Sequence, residues 1–228
     1  MKKIVIIPSG GKGLRLGTEV PKQYVKVHDR ELISYTIEIF EKCELIDEIV
    51  ISAQKDYFDL LKKVIRDNNF NKVVKIVEGG KERQDSVYNA LSSLSAEDND
   101  LIIVHDAARP LLSQNVLINS IQIAEKFDNV VVAIKAKDTL LKGDEFVSGY
   151  LDRSEIYYAQ TPQIFRFSIL KNAMEIAKNS NFIGTDESML VHKSSQKVMI
   201  VEGSFFNFKV TTKDDLDLFS SLVNKPHN

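Results

Sequence analysis

The amino-acid sequence predicts an α/β fold in which a mostly parallel β-sheet is flanked by helices. Two observations support this prediction. Short runs rich in Val and Ile alternate with longer amphipathic stretches, which is the pattern of strands and crossover helices around a parallel sheet. The chain has 228 residues, of which 43% are hydrophobic and 27% charged, so it is long and apolar enough to bury the core that such a sheet requires.

The alternation places strands and helices in order along one domain that spans residues 1–228. A first helix is expected because Leu32, Tyr35, Ile39 and Phe40 recur at helical spacing. The predicted strands are 3–8, 48–53, 72–77, 100–105, 129–134 and a later one near 197–201. The predicted helices are about 31–43, 56–68, 84–95, 113–127 and 166–178, with a last helix from about 213.

The segment at about 136–158 departs from this alternation. A hydrophobic helical face is hard to draw there, and the turn signals Lys142-Gly143-Asp144 and Ser148-Gly149 favour an extended, hairpin-like β-arm. Two interpretations stay open: an arm that packs on a second copy of the chain, or an ordinary solvated excursion.

Composition excludes several classes of function. The net charge is −2, so there is no basic excess to hold a nucleic acid. Cys43 is the only cysteine, which rules out an intrachain disulfide and a four-cysteine zinc site. The apolar run after Met1 stops at Pro8, too early for a signal core or a membrane span. We therefore expect a cytoplasmic protein with no nucleic-acid or membrane partner.

A glycine-rich loop follows the first predicted strand, with the sequence Pro-Ser-Gly-Gly-Lys-Gly-Leu-Arg-Leu-Gly over residues 8–17. Glycines allow backbone N–H groups to approach phosphate oxygens. A dinucleotide fingerprint would need glycine at position 16, where Leu16 stands, and a P-loop motif is absent. Arg15 and Lys22 are placed to hold a triphosphate that is cleaved as well as bound, which favours a transferase over a dehydrogenase.

This loop, with Pro21-Lys22-Gln23-Tyr24, resembles the signature of the sugar-nucleotidyltransferase-like proteins and, within them, of the polyol-phosphate cytidylyltransferase family. Further matching motifs follow in the same order as far as residue 211. They are the segments 79–87 (GGKERQDSV), 105–110 (HDAARP), 152–153 (DR), 161–163 (TPQ), 184–187 (GTDE) and 207–211 (NFKVT).

The resemblance implies a Rossmann-like three-layer nucleotidyltransferase fold and a magnesium-dependent reaction. The expected reaction transfers CMP from CTP to 2-C-methyl-D-erythritol 4-phosphate, with release of pyrophosphate. Two alternatives stay open: ribitol 5-phosphate as the acceptor, or a nucleotide-binding module without catalysis. The resemblance also implies a homodimer formed through the β-arm.

The resemblance assigns roles to particular residues. Asp106 is expected to hold Mg²⁺ or another divalent cation, directly or through water. The implied catalytic residues are Arg15, Lys22 and Lys209. The implied CTP-binding residues are Ser9, Gly10, Gly11, Gly13, Gly80, Ser86, Asp106 and Ala107. The implied contacts to the substrate phosphate are Arg109, Arg153 and Thr185.

Several of these residues also have plainer interpretations. An Asp that follows a strand, as Asp106 does, is more often a turn former or helix cap. The plainer alternative for Arg109 is a surface or interface ion pair. Thr185 precedes two acidic residues and so reads as a helix N-cap. Lys209 would be a solvated cation at a strand edge. Two departures from the family pattern occur, Ser9-Gly10 in place of Ala-Ala and Lys81 where an acidic residue is common; the second bears on the base site.

Overall fold

The protein folds around one seven-stranded sheet with helices on both faces, as seen in a computed structural model that describes residues 1–11 and 20–223. The strands are β1 (Lys3–Ser9), β2 (Lys26–Val27), β3 (Arg30–Glu31), β4 (Glu48–Ala53), β5 (Val73–Glu78), β6 (Leu101–Val104), β7 (Val130–Lys135), β8 (Leu140–Gly143), β9 (Val147–Leu151), β10 (Tyr157–Arg166) and β11 (Met199–Glu202). The helices are α1 (Leu32–Glu41), α2 (Phe58–Asp67), α3 (Arg83–Ser92), α4 (Gln114–Phe127), α5 (Phe167–Asn179), α6 (Glu187–Lys193) and α7 (Lys213–Val223).

The sheet is mostly parallel, as predicted, with the strand order β11-β7-β10-β6-β1-β4-β5. Strand β1 pairs in parallel with β4 and β6, β4 with β5, and β7 with β11. Strand β6 therefore lies at the centre, and the segment after it reaches the carboxyl edge of the sheet, where ligands of open α/β folds bind.

The core has two layers because successive side chains of a strand point to opposite faces. On β1, Val5 and Ile7 pack on one face with Ile37 and Phe40 of α1. Ile4 and Ile6 pack on the other face with residues of α3 and α5. All four β1 side chains are fully buried, which explains the continuous Val/Ile run in the sequence.

One central strand, β10, was not predicted. It runs antiparallel to both β6 and β7, and its pairing shifts register between Ala159 and Gln163. The stretch Gln160-Thr161-Pro162-Gln163 is polar, so it lacks the hydrophobic pattern by which strands were predicted, although these residues are buried in the fold.

The remaining predicted elements are present with ends shifted by at most three residues. The predicted arm is shorter than 136–158: it is the β8–β9 hairpin, which ends at Leu151, while Tyr157 and Tyr158 already belong to β10. Helix α6 was not among the predicted helices, although the sequence offered Thr185 as a helix N-cap. Within residues 1–11 and 20–223, every helix is too short or too polar to cross a membrane.

Candidate active site

A cleft of about 480 Å³ opens at the carboxyl edge of the sheet, next to the ends of β1, β5 and β6. It is bordered by the glycine-rich loop, the start of α3, the segment after β6 and the segment after β11. Its lining residues are Pro8, Ser9, Gly10, Gly11, Lys22, Gln23, Gly80, Lys81, Glu82, Arg83, Ser86, Asp106, Ala107, Ala108, Lys209 and Thr211.

The cleft gathers most of the site residues expected from the sequence, although they are far apart along the chain. Nine of them line it: Ser9, Gly10, Gly11, Lys22, Gly80, Ser86, Asp106, Ala107 and Lys209. Gly13 and Arg15 lie outside the described residues, so their roles stay predictions. These residues meet because the carboxyl ends of parallel strands lie at one edge of the sheet, and their roles stay predictions.

The first part of the glycine-rich loop is held by side-chain amides. Gln23 Nε2 donates to the carbonyl oxygens of Ser9 and Gly11, at 2.7 and 3.0 Å. Gln54 Nε2 donates to the carbonyl of Gly10 at 2.8 Å. These bonds fix the backbone from its carbonyl side, and such a fixed loop is pre-organised for a ligand.

Ser86 ties the opposite side of the cleft together. Its hydroxyl accepts a hydrogen bond from the N–H of Gly80 and donates to the carbonyl of Glu82, both at 3.1 Å. A Cβ on Gly80 would lie only 2.1 Å from the Cβ of Asp85, so the turn into α3 has no room for a side chain there. Glycine is therefore required at position 80 by the packing of this turn against Asp85.

Asp106 is the electrostatic centre of the cleft, with three cations around one buried carboxylate. Its Oδ1 accepts from Arg83 Nε at 2.9 Å, and its Oδ2 lies 2.9 Å from Lys209 Nζ and 3.5 Å from Arg109 Nε. Burial alone would raise the pKa of Asp106, but the charges of Arg83, Lys209 and Arg109 hold that pKa well below its ordinary value. The carboxylate is therefore ionised at neutral pH.

Arg83 continues this network to a second buried carboxylate. Its Nη1 donates to both oxygens of Glu187, at 2.7 and 2.8 Å. Burial raises the pKa of Glu187, and the adjacent Arg83 opposes that shift. Neither Arg83 nor Glu187 was singled out from the sequence. A signal was present for Glu187, because Leu190 and Val191 follow at helical spacing and mark a buried face.

His105 directly precedes Asp106 in the chain and is fully buried. Its Nε2 lies 3.0 Å from the carbonyl of Arg109, and its Nδ1 lies 3.1 Å from Thr161 Oγ1, which accepts from the N–H of Asp106. Because a carbonyl can only accept, Nε2 carries a proton; burial favours the neutral ring, in which Nδ1 accepts from the Thr161 hydroxyl. Burial lowers the pKa of His105 to about 4. The ring thus orients the backbone around Asp106.

The segment after β11 carries Lys209 into the cleft. Lys209 does not lie on a strand edge, as the sequence suggested, but in irregular backbone between β11 and α7. This backbone is anchored because Val210 N donates to the carbonyl of Ala108 at 2.9 Å and Lys22 Nζ donates to that of Val210 at 2.7 Å. The two predicted catalytic lysines therefore meet at one segment.

The three residues expected to contact the substrate phosphate do not line this cleft. Arg109 pairs with Asp106 and donates from Nη1 to the carbonyl of Asn207 at 2.7 Å, which agrees with the ion-pair interpretation. Arg153 is exposed beyond β9, and its Nη1 donates to the carbonyl of Lys137. Thr185 is exposed, and the N-cap of α6 is Asp186 rather than Thr185.

Comparison with known proteins gives one consistent result. The family model for 2-C-methyl-D-erythritol 4-phosphate cytidylyltransferase matches residues 3–225. A protein of that name from Clostridium perfringens is 38% identical over 226 residues, which is 97% of this chain and 99% of that protein. One from Clostridioides difficile is 38% identical over 222 residues, which is 96% of this chain and 93% of that protein.

Solved structures give the same result. The crystal structure titled 2-C-methyl-D-erythritol 4-phosphate cytidylyltransferase from Francisella tularensis has a TM-score of 0.82 at 30% identity, covering 97% of this chain and 99% of that one. A 4-diphosphocytidyl-2C-methyl-D-erythritol synthase from Anaerococcus prevotii has a TM-score of 0.85 at 27% identity, covering 98% of this chain and 99% of that one. The similarity covers the site as well as the sheet.

Proposed function

This chain belongs to the 2-C-methyl-D-erythritol 4-phosphate cytidylyltransferase family, and on that premise we propose how its cleft carries out the reaction. The enzyme transfers CMP from CTP to 2-C-methyl-D-erythritol 4-phosphate, a step of non-mevalonate isoprenoid synthesis. The products are 4-diphosphocytidyl-2-C-methyl-D-erythritol and pyrophosphate. Neither alternative from the sequence, ribitol 5-phosphate as acceptor or a module without catalysis, is favoured.

The observation that carries the mechanism is the cationic wall of the cleft. Among the described residues, the cations that line the cleft are Lys22, Lys81, Arg83 and Lys209, and the carboxylates that line it are Glu82 and Asp106. The lining therefore carries a positive excess. Such an excess suits a triphosphate.

The reaction needs positioning and charge stabilisation more than proton transfer. An anionic oxygen of the acceptor phosphate attacks the α-phosphorus of CTP in line, and the bond from that phosphorus to the bridging oxygen of pyrophosphate breaks. Because the nucleophile is already ionised, no general base is required. Lys22 and Lys209 are assigned to stabilise the charge that grows on the α-phosphate and the pyrophosphate. Arg15 is assigned the same role from its place in the glycine-rich loop.

CTP is assigned to the space between that loop and the start of α3. The backbone at Ser9, Gly10, Gly11 and Gly13 is assigned to the phosphates. Gly80 and Ser86 are assigned to cytosine, and Asp106 with Ala107 to the ribose or the metal. Arg109, Thr185 and Arg153 are assigned to the phosphate of the acceptor. Thr185 and Arg153 are exposed and lie away from the cleft lining. Their contacts would be completed by the bound acceptor or by a second subunit.

The residues present fit a divalent cation held mainly by the nucleotide. Within the described ranges no group of three or more His, Cys, Asp or Glu side chains forms a protein-only metal site. Asp106 offers one ionised carboxylate in the cleft, and Mg²⁺ in nucleotide enzymes is commonly bound by one or two carboxylates plus phosphates. When bound, Mg²⁺ neutralises triphosphate charge. We propose Asp106 as its protein ligand, directly or through water.

The β8–β9 hairpin is proposed as the contact of a homodimer. Phe146 is 84% exposed and Tyr150 71% exposed, and Leu141 and Val147 are also uncovered. Large apolar side chains grouped on one hairpin are typical of protein interfaces. We also propose that residues 1–228 act as one domain in the cytoplasm.

The decisive experiment measures pyrophosphate release from CTP and Mg²⁺ with two acceptors in parallel. Turnover with 2-C-methyl-D-erythritol 4-phosphate and background release with ribitol 5-phosphate are expected. Faster turnover with ribitol 5-phosphate would contradict the acceptor, and CTP binding without turnover on either acceptor would contradict the catalytic function. Omission of Mg²⁺ in the presence of a chelator is expected to abolish release, and full activity there would remove the metal from the proposal.

A further inference from the structure

Glu187 is a buried carboxylate to which the mechanism above gives no task. Its side chain is 1% exposed, it begins α6, and both of its oxygens accept from the same nitrogen, Arg83 Nη1. Burying a charged carboxylate costs folding free energy unless the carboxylate is paired and hydrogen-bonded, so the geometry of the Glu187–Arg83 pair matters for stability.

The position of Glu187 is fixed independently of Arg83. Asp186 caps α6 by accepting from Met189 N at 2.9 Å. Gln163 of the central strand β10 donates to Asp186 Oδ2 at 2.9 Å and accepts from Ser188 N at 2.8 Å. The start of α6 is therefore clamped to the sheet, and Glu187 is a fixed point to which Arg83 is attached.

Arg83 divides its donors between two carboxylates. While Nη1 is occupied by Glu187, only Nε contacts Asp106, at Oδ1. Oδ2 of Asp106 is thereby left to face Lys209 at 2.9 Å. Without Glu187, the guanidinium is free to turn and form a two-pronged pair with Asp106, the geometry that arginine and carboxylate prefer. That turn would displace Lys209.

We propose that Glu187 is a positioning residue for nucleotidyl transfer: it holds Arg83 so that Asp106 keeps one oxygen for Lys209 and the cleft. The inference rests on the proposed function of the cleft. The competing explanation is an ion pair that only stabilises the fold, and the two explanations predict different kinetics.

The test uses Glu187→Gln, Arg83→Gln and the double variant. Glu187→Gln preserves shape but removes the charge, and we expect kcat to fall about tenfold or more while KM for CTP changes less than about threefold. If Glu187 acts through Arg83, adding Glu187→Gln to Arg83→Gln should lower kcat by no more than about twofold further. Effects that multiply in the double variant, or a kcat of Glu187→Gln within twofold of the parent value, would overturn the proposal.

A matched control is available on α1. Glu38 accepts from Arg30 at 3.0 Å and pairs with Lys42 at 2.6 Å, away from the cleft. Glu38→Gln removes a more exposed carboxylate that is likewise paired with an arginine, and we expect kcat to stay within twofold. Thermal unfolding of every variant shows how much of any loss comes from stability alone.

A second readout does not depend on turnover. In ¹⁵N-labelled protein the Arg83 Nε–H resonance, identified by its loss in Arg83→Gln, should be dispersed and protected from exchange. In Glu187→Gln we expect that protection to fall at least tenfold. An unchanged resonance would overturn the positioning role even if the enzyme turned over no acceptor. Failure of the positioning proposal is therefore distinguishable from failure of the proposed function.

Discussion

The ammonium nitrogen of Lys209 lies 2.9 Å from Oδ2 of Asp106, joining the segment after β11 to the end of the central strand β6. A bound triphosphate would offer Lys209 stronger negative charge than one carboxylate. The pair therefore keeps the lysine in place before the nucleotide arrives, which limits the reorganisation required during the reaction.

Replacing Lys209 by Gln is expected to lower kcat by roughly a hundredfold or more, because a donor to the transition state is lost. The measurement is steady-state pyrophosphate release at saturating CTP and acceptor. Lys213→Gln is the matched control, since Lys213 is an exposed lysine at the start of α7. Near-parental turnover of Lys209→Gln would remove this lysine from the mechanism.

Lys22→Gln is expected to cause a loss of similar size, roughly a hundredfold in kcat. The lysine also donates to the carbonyl of Val210, so the variant should loosen the segment that carries Lys209. Lys26→Gln is its control, because Lys26 is exposed and its ammonium lies 3.9 Å from Glu31 at the surface. If Lys22→Gln raised KM for CTP and left kcat intact, Lys22 would serve binding alone.

The buried His105 is expected to make the free energy of unfolding depend on pH. Its pKa is lowered to about 4 by burial, so between about pH 6.5 and 4 the unfolded chain binds a proton that the folded chain does not. Stability should therefore fall as the pH is lowered through that window, by about 2 kcal/mol from this residue between pH 7 and 5. Urea unfolding at both pH values measures it.

The variant His105→Asn removes the titrating ring and should show a smaller loss between pH 7 and 5, whatever its stability at pH 7. His192→Gln, at an exposed position of α6, should retain the parental loss. An equal pH dependence in His105→Asn and the parent would contradict the assignment of a neutral, buried ring.

The exposed apolar side chains of the β8–β9 hairpin lead us to expect a dimer in solution. At micromolar concentration, sedimentation of the parent protein should give a dimer. The double variant Tyr150→Ser and Phe146→Ser should raise the dimer Kd at least tenfold, because two apolar side chains would be lost from the interface. Phe127→Ser is the control, since Phe127 is also exposed but lies at the end of α4. A monomeric parent protein would contradict the interface.

The fold was largely predictable because the alternation of Val/Ile strands with amphipathic helices is a local signal. Asp106 could be placed at the carboxyl edge from the sequence because it follows a central strand of the parallel sheet, whereas Ser86 was assigned to the site only through the family resemblance. Arg83 and Glu187 were missed because their pairing depends on α6, which is short. The central strand β10 was missed because its polar residues are buried by hydrogen bonds, as between Thr161 and His105, which no hydrophobic pattern reports.

The contacts of strand β10 limit where the chain can accept insertions and deletions. Along this one strand, Thr161 must meet His105 and Gln163 must meet the start of α6. A one-residue insertion between Thr161 and Gln163 would change the spacing of these two residues along the strand, so that both contacts could not be kept. The hairpin tip at 144–146 carries no such pairing with the sheet. Insertions and deletions that survive selection are therefore expected at the tip and excluded from the strand.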